Sequence, residues 1–169
     1  MSRTPLKKND EHCSPGVAFL LSQIGAHAAG KFAARLAPLK LAPSHAGILR
    51  VISADAGISQ QKLAKFLGMF PSRLVLVLDE MEKAGLVERK ASVADRRTYA
   101  LQLAPKGREA LQAIGRIARE HQEELCAAIS PKERETLAAL LSRIARHQHL
   151  TPGVHPGYKQ IGRGCGRPC

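Results

Sequence analysis

The chain has 169 residues, 44% of them hydrophobic, enough for a core that needs no disulfide support. A formal charge of +12 points to a polyanionic partner, nucleic acid ahead of an anionic membrane surface. Four cysteines without framework spacing (Cys13, Cys126, Cys165, Cys169) fit a reducing cytoplasm. The stretch Met1 to Lys8 carries charge with no apolar run behind it, so no secretory signal is expected. Nor does any apolar run approach membrane-spanning length. Aromatic residues are scarce while Ala and Leu dominate the middle, which favours a mainly helical protein.

In chain order, residues 1–13 read as a flexible basic arm. Ser14 as a cap and Pro15 at the first helical position predict a helix start. Val17, Leu20, Leu21, Ile24, Ala28 and Phe32 then recur at helical spacing, and the helix should fray near Pro38. Ser44, after Pro43, is the next cap candidate, with Ile48, Leu49 and Ile52 as the buried stripe of a second helix ending before Gly57. Ser59 caps a short third helix with Leu63, Ala64 and Leu67 inward, closed by Gly68. Pro71 opens a fourth, in which Leu74, Val77, Leu78 and Met81 share one face and Gly85 supplies the stop.

The period then changes. Residues 86–90 and 98–103 read as two short strands, with Tyr99, Leu101 and Leu103 alternating against Thr98, Ala100 and Gln102. Helical spacing returns from about Pro105 to Ile129. Ser130 and Glu133 form a capping box that starts the last helix, which runs to about His149. Residues 150–169, rich in Gly, Pro and basic side chains, read as a disordered tail.

The stretch from Ser59 to Leu103 carries the chemistry. Two short helices joined by a Gly-containing turn match a helix-turn-helix, and the hairpin behind them matches a wing. Projection of the second helix puts Ser72, Leu76, Asp79 and Lys83 outward, with Arg73 and Val75 on the flanks. Arg73 suits a guanine edge, Ser72 a phosphate, and Val75 or Leu76 a thymine methyl. In the wing, Arg89 and Lys90 lie on the first strand, and Arg96 and Arg97 at the tip can reach a minor groove. Asp95 would be repelled by phosphate and is expected to pair with an arginine and fix the loop.

These residues resemble the MarR family. The resemblance rests on Leu86-Val87-Glu88-Arg89, on Asp95-Arg96-Arg97, and on Leu101 through Gly107 as the exit into a long helix. Leu41-Ala42-Pro43-Ser44-His45 and Gln61-Lys62-Leu63-Ala64 are similar to the family's second and third helices, so the likeness runs from about Val17 to Ala145. It implies a mainly α fold with a β-hairpin wing. The winged helix-turn-helix lobe spans about 44–104, and the dimerisation helices about 14–37 and 106–149. It further implies a cytoplasmic bacterial homodimer that binds double-stranded DNA at a palindromic operator, usually as a repressor, and is released by a small aromatic or phenolic effector. Two departures stand out. Ala104 replaces the usual Thr of the exit motif, removing a helix cap, and the recognition helix is more apolar than is common.

No phosphate-cradling loop, catalytic triad or metal-ligand motif occurs, so neither an enzyme nor a cofactor is expected. Two alternatives stay open: a winged-helix module for nonspecific nucleic-acid or protein contact, kept alive by Val75 and Leu76, and a cysteine-based redox sensor. Cys13 sits more than a turn from the position that the family's oxidation-responsive branch uses. Cys126 reads as a small apolar residue, and Cys165 and Cys169 match no closed metal motif. His27 and His45 lie near where family ligands enter, with packing and ligand contact evenly balanced.

Overall fold

The computed structural model describes residues 15–91, 99–155 and 158. Among them the order is α1 (Val17–Leu36), a 3-10 turn (Ala37–Leu39), α2 (Pro43–Ala54), α3 (Gln60–Leu67), α4 (Pro71–Lys83), β1 (Val87–Ala91), β2 (Tyr99–Leu103), α5 (Pro105–Leu125) and α6 (Pro131–His147). This is the mainly helical winged architecture expected from the sequence.

One core lies beneath α2, α3, α4 and the hairpin. Ile48, Leu49 and Ile52 of α2 meet Leu63 and Leu67 of α3, Leu74, Leu78 and Met81 of α4, and Val87 and Leu101 of the strands. Each helix presents residues three and four apart, which the 3.6-residue turn stacks on one face. The strands pair antiparallel, with Val87 opposite Leu103, Arg89 opposite Leu101 and Ala91 opposite Tyr99. On its other side β2 pairs with the lead-in to α3. Gly57 N–H donates to the Leu101 carbonyl at 2.9 Å, and Leu101 N–H to the Ile58 carbonyl at 3.0 Å.

Several boundaries differ from the sequence reading. Helix α1 begins at Val17 behind Gly16, so Pro15 precedes the helix, and Ser14 lies outside the described residues. Helix α2 starts two residues early, with Ala42 at the cap and Pro43 in the first turn, so Ser44 is inside it. The capping acceptor is instead His45, whose Nδ1 takes the Ala42 N–H at 3.2 Å. Desolvation holds the His45 pKa below its ordinary value, with Glu80 opposing, which suits an imidazole acting as acceptor. Helix α5 ends at Leu125, short of Ile129. Tyr99, expected inward with Leu101 and Leu103, is 58% exposed, because it sits at the far end of the hairpin, past the helices that cover the other two.

Two expectations hold closely. Ser59 Oγ accepts from Lys62 N–H at 3.2 Å. At α6, Ser130 Oγ accepts from Glu133 N–H at 3.4 Å, while Ser130 N–H donates to the Glu133 carboxylate at 2.8 Å.

The exit from the wing is tight. The Leu86 carbonyl accepts Ala104 N–H at 3.1 Å, and a Cβ on Gly107 would lie 1.9 Å from that same oxygen. Only glycine lets the first turn of α5 rest there. Ala104 caps this helix with extended backbone but offers no side-chain acceptor. Ala104→Ser should therefore stabilise the protein by about 0.5–2 kcal/mol, read as a higher urea midpoint at unchanged slope; an unchanged midpoint would show that the capping N–H groups are already satisfied.

Helices α1 and α6 are incompletely covered. Lys31 and Arg35 of α1 pair with Glu124 of α5, and the Phe32 and His121 rings sit 5.6 Å apart. Farther out, Val17 is 68% exposed, and Leu20, Leu21 and Ile24 stand exposed beside Leu137, Leu140, Leu141 and Ile144 of α6. No residue of α6 is buried.

Composition predicts a disordered tail over residues 150–169, beginning with the segment after α6. Its first part is placed on the lobe: Val154 packs against the core, and Tyr158 is 6% exposed within it. A lone tyrosine among Gly, Pro and basic residues was too weak a signal against that composition.

Candidate nucleic-acid interface

Helices α3 and α4 meet through Gly68, Met69 and Phe70. Gly68, at φ +66°, closes α3, and Met69 N–H reaches back to the Ala64 carbonyl at 3.0 Å. Buried Met69 pins the turn, and Phe70 and Pro71 then start α4 at a new angle. With Leu74, Leu78 and Met81 turned into the core, the opposite face of α4 is fixed. Ser72 is exposed there and Leu76 is 62% exposed, with Arg73 and Val75 half-buried at the flanks. This follows the sequence projection. The buried Arg73 Nε has no hydrogen-bond partner among the described residues.

The base of the wing lies beside α4, joined by an ion-pair bridge that the sequence reading missed. Arg89, placed there among the DNA contacts, has a side chain only 16% exposed. Its guanidinium donates to Asp79 at 2.6 Å and to the Glu82 carboxylate, while its backbone N–H donates to Glu82 at 3.2 Å. Burial disfavours the Arg89 charge, but the bonds to Asp79 and Glu82 outweigh that and push its pKa above the ordinary guanidinium value. Asp79, projected outward, is thus turned toward the strand. The available signal was an acidic pair three residues apart on a face shared with a basic strand.

Lys90 is exposed and pairs with Glu88 at 3.2 Å. Asp95, Arg96 and Arg97 lie outside the described residues, as do Cys13, Cys165 and Cys169. Cys126 is half-buried at the end of α5. What the described residues bring together is a fixed helix face and a hairpin held to it at the base.

Arg89→Ala should cost about 1–2 kcal/mol of stability, since charge-assisted hydrogen bonds contribute roughly 1.5–3 kcal/mol and these acids are partly exposed. Arg89→Lys should recover less than half, because an ammonium lacks the planar fork that spans two carboxylates. Urea unfolding of the two variants checks this, and full recovery by lysine would mean that charge alone holds the bridge.

A cleft of about 460 Å³ lies behind this face, between α1, α2 and α5. Ala29, Phe32, Ala46, Gly47, Arg50 and Ile114 line it, together with Tyr158. Its size and apolar walls fall within the range of small-molecule sites. Among the described residues no helix is long and apolar enough to cross a membrane.

Comparison with known proteins converges on one family. The MarR family model matches residues 41–99. A protein of Thauera aromatica named for transcriptional regulation of its hcr operon is 36% identical over 110 residues; the match covers 65% of this chain and 66% of that relative, just under two thirds of its length. Among solved structures, the transcriptional repressor CouR bound to a 23-mer DNA duplex is 29% identical with a TM-score of 0.70, covering 84% of this chain and 99% of that one. A MarR-family protein of Mycobacterium tuberculosis in complex with salicylic acid is 26% identical with a TM-score of 0.62, covering 78% and 98%.

Proposed function

This chain belongs to the MarR family of DNA-binding transcription regulators, and on that premise we propose that it is a cytoplasmic repressor, not an enzyme, which binds a palindromic operator as a homodimer and leaves it when a small aromatic or phenolic effector binds. The observation that carries the reading is the α4 face, which projects Ser72 and Leu76 from a helix-turn-helix while Arg89 ties the wing to the same helix. In this reading the first turns of α4 enter the major groove. Ser72 holds a phosphate, Arg73 reads a base edge with a guanidinium not committed to an internal ion pair among the described residues, and Val75 or Leu76 meets a thymine methyl. Lys90 strengthens phosphate attraction along the wing, and Arg96 and Arg97 take the minor groove with Asp95 ordering the loop. Arg89 acts on DNA indirectly, by fixing where the wing leaves the helix.

The apolar strip on α1 and α6 supports the dimer. The cleft between α1, α2 and α5 supports an effector site, and salicylic acid in the Mycobacterium tuberculosis relative indicates the class of molecule. Exposed Leu76 favours one other reading, contact with nucleic acid or protein without sequence preference.

Selection of bound duplexes from a random DNA pool separates the two. The repressor reading expects an enriched palindrome with half-sites about one helical turn, ~34–36 Å, apart. Tight binding with no enriched sequence would replace it with the nonspecific reading.

A further inference from the structure

Of the six aromatic side chains, Tyr158 is the most buried, although it lies eleven residues past the end of α6 in a stretch of Gly, Pro and basic residues. Its ring enters the cleft between α1, α2 and α5, and its hydroxyl donates to the Ser44 carbonyl in the first turn of α2 at 3.1 Å. Desolvation pushes the phenol's pKa up to about 12, opposed by Arg50, so it is a neutral donor at ordinary pH. The wall opposite is shaped for it. A Cβ on Gly47 would lie 1.6 Å from the Tyr158 oxygen, so the hydroxyl fills space that any other residue at position 47 would occupy. The segment leading in is held too: Arg50 donates to the Gly153 carbonyl, and Val154 packs on the core.

The Ser44 carbonyl and the space above Gly47 form a phenol seat that the chain's own Tyr158 takes, while about 460 Å³ of the cleft beside it stays open. We infer that Tyr158 is a built-in ligand of this seat, and that a free small phenol reaches the Ser44 carbonyl above Gly47 only as the segment following α6 leaves. The effector reading above supplies only the class of competitor; the seating of Tyr158 stands on its own contacts.

A tethered group acts at a high effective concentration, in the millimolar range for a short flexible tether. At that seat the full chain should therefore resist small phenols until the occupancy by Tyr158 is overcome. The probe is 4-methylphenol, the side chain of tyrosine as a free molecule. By calorimetric titration without DNA, Tyr158→Ala should bind it at least tenfold more tightly than the full chain does, with the difference set by the tether. Adding Gly47→Ala to Tyr158→Ala should abolish that binding, because the new methyl takes the hydroxyl's place. Gly47→Ala alone should expel the segment and speed chymotrypsin cleavage after Tyr158, with α-helical circular dichroism retained.

Equal 4-methylphenol affinity in the full chain and Tyr158→Ala, or unchanged cleavage in Gly47→Ala, would overturn the inference. Neither readout involves an operator, so failure here leaves the repressor reading standing. Conversely, loss of the repressor reading in the DNA selection leaves the Tyr158 seat intact.

Discussion

Replacing Leu141 and Ile144 with aspartate should turn the proposed dimer into a monomer and remove operator binding. Both side chains lie on α6 in the exposed apolar strip shared with Val17, Leu20, Leu21 and Ile24 of α1. In a two-fold interface each substitution counts twice, so two changes remove four apolar side chains. At about 1.5–3 kcal/mol per fully buried aliphatic side chain, that is roughly 6–12 kcal/mol before the cost of four carboxylates in an apolar setting. A nanomolar dimer has only about 12 kcal/mol in total. The lobe should stay folded, since its core contains no α6 residue. A monomer then grips a single half-site and loses the avidity of the pair, roughly 10²–10⁴ in affinity. Sedimentation at micromolar protein reads the first effect and duplex titration the second. A variant that still sediments as a dimer would place the interface elsewhere.

Operator affinity should also collapse with salt. The chain carries +12, and a two-fold dimer doubles that charge. Several described cations are spent internally: Arg89 on Asp79 and Glu82, Lys62 on Asp55, and Lys31 and Arg35 on Glu124. What remains still suffices for the usual number of phosphate contacts. A protein that neutralises ~6–10 phosphates loses roughly 10³–10⁵ in affinity between about 50 and 200 mM salt, because each contact releases condensed counterions. The slope of log affinity against log salt measures the number directly. A slope near zero would mean that apolar contact at Leu76 and Val75 dominates and that the basic excess serves something other than DNA.

Much of the fold was legible because local rules act alone in the lobe. The stripes of α2, α3 and α4 turn to the core the residues their spacing selects, with Val77 half-buried, and the Ser59 and Ser130 side chains cap the N–H groups three residues on. Ser72, Leu76 and Lys83 of the outward set on α4 follow from the same geometry, while Asp79 turns to Arg89. Three features escaped for physical reasons. The bridge from Arg89 depends on how β1 packs on α4, an angle that sequence spacing does not encode. The α1 start defied the Ser-Pro signal, which marks a preferred place for a helix to begin, not a required one. Tyr158 escaped because a composition argument averages over a window, and one well-fitted ring outweighs its neighbours.

The contact at Gly107 makes α5 a lever. Its first turn rests against the Leu86 carbonyl with no room for a side chain, while its far end, near Glu124, meets α1. At 1.5 Å per residue, a helix of this length reaches about 30 Å. Pivoting by ~5° at the glycine end would swing the far end by roughly 2–3 Å on that reach. Read the other way, the gearing is steep: sliding of a few ångströms among the outer helices reaches the wing as a rotation of only a few degrees. The wing is thus insulated from small disturbances at the far end of the arm, and only a coherent tilt of the whole arm changes where it points.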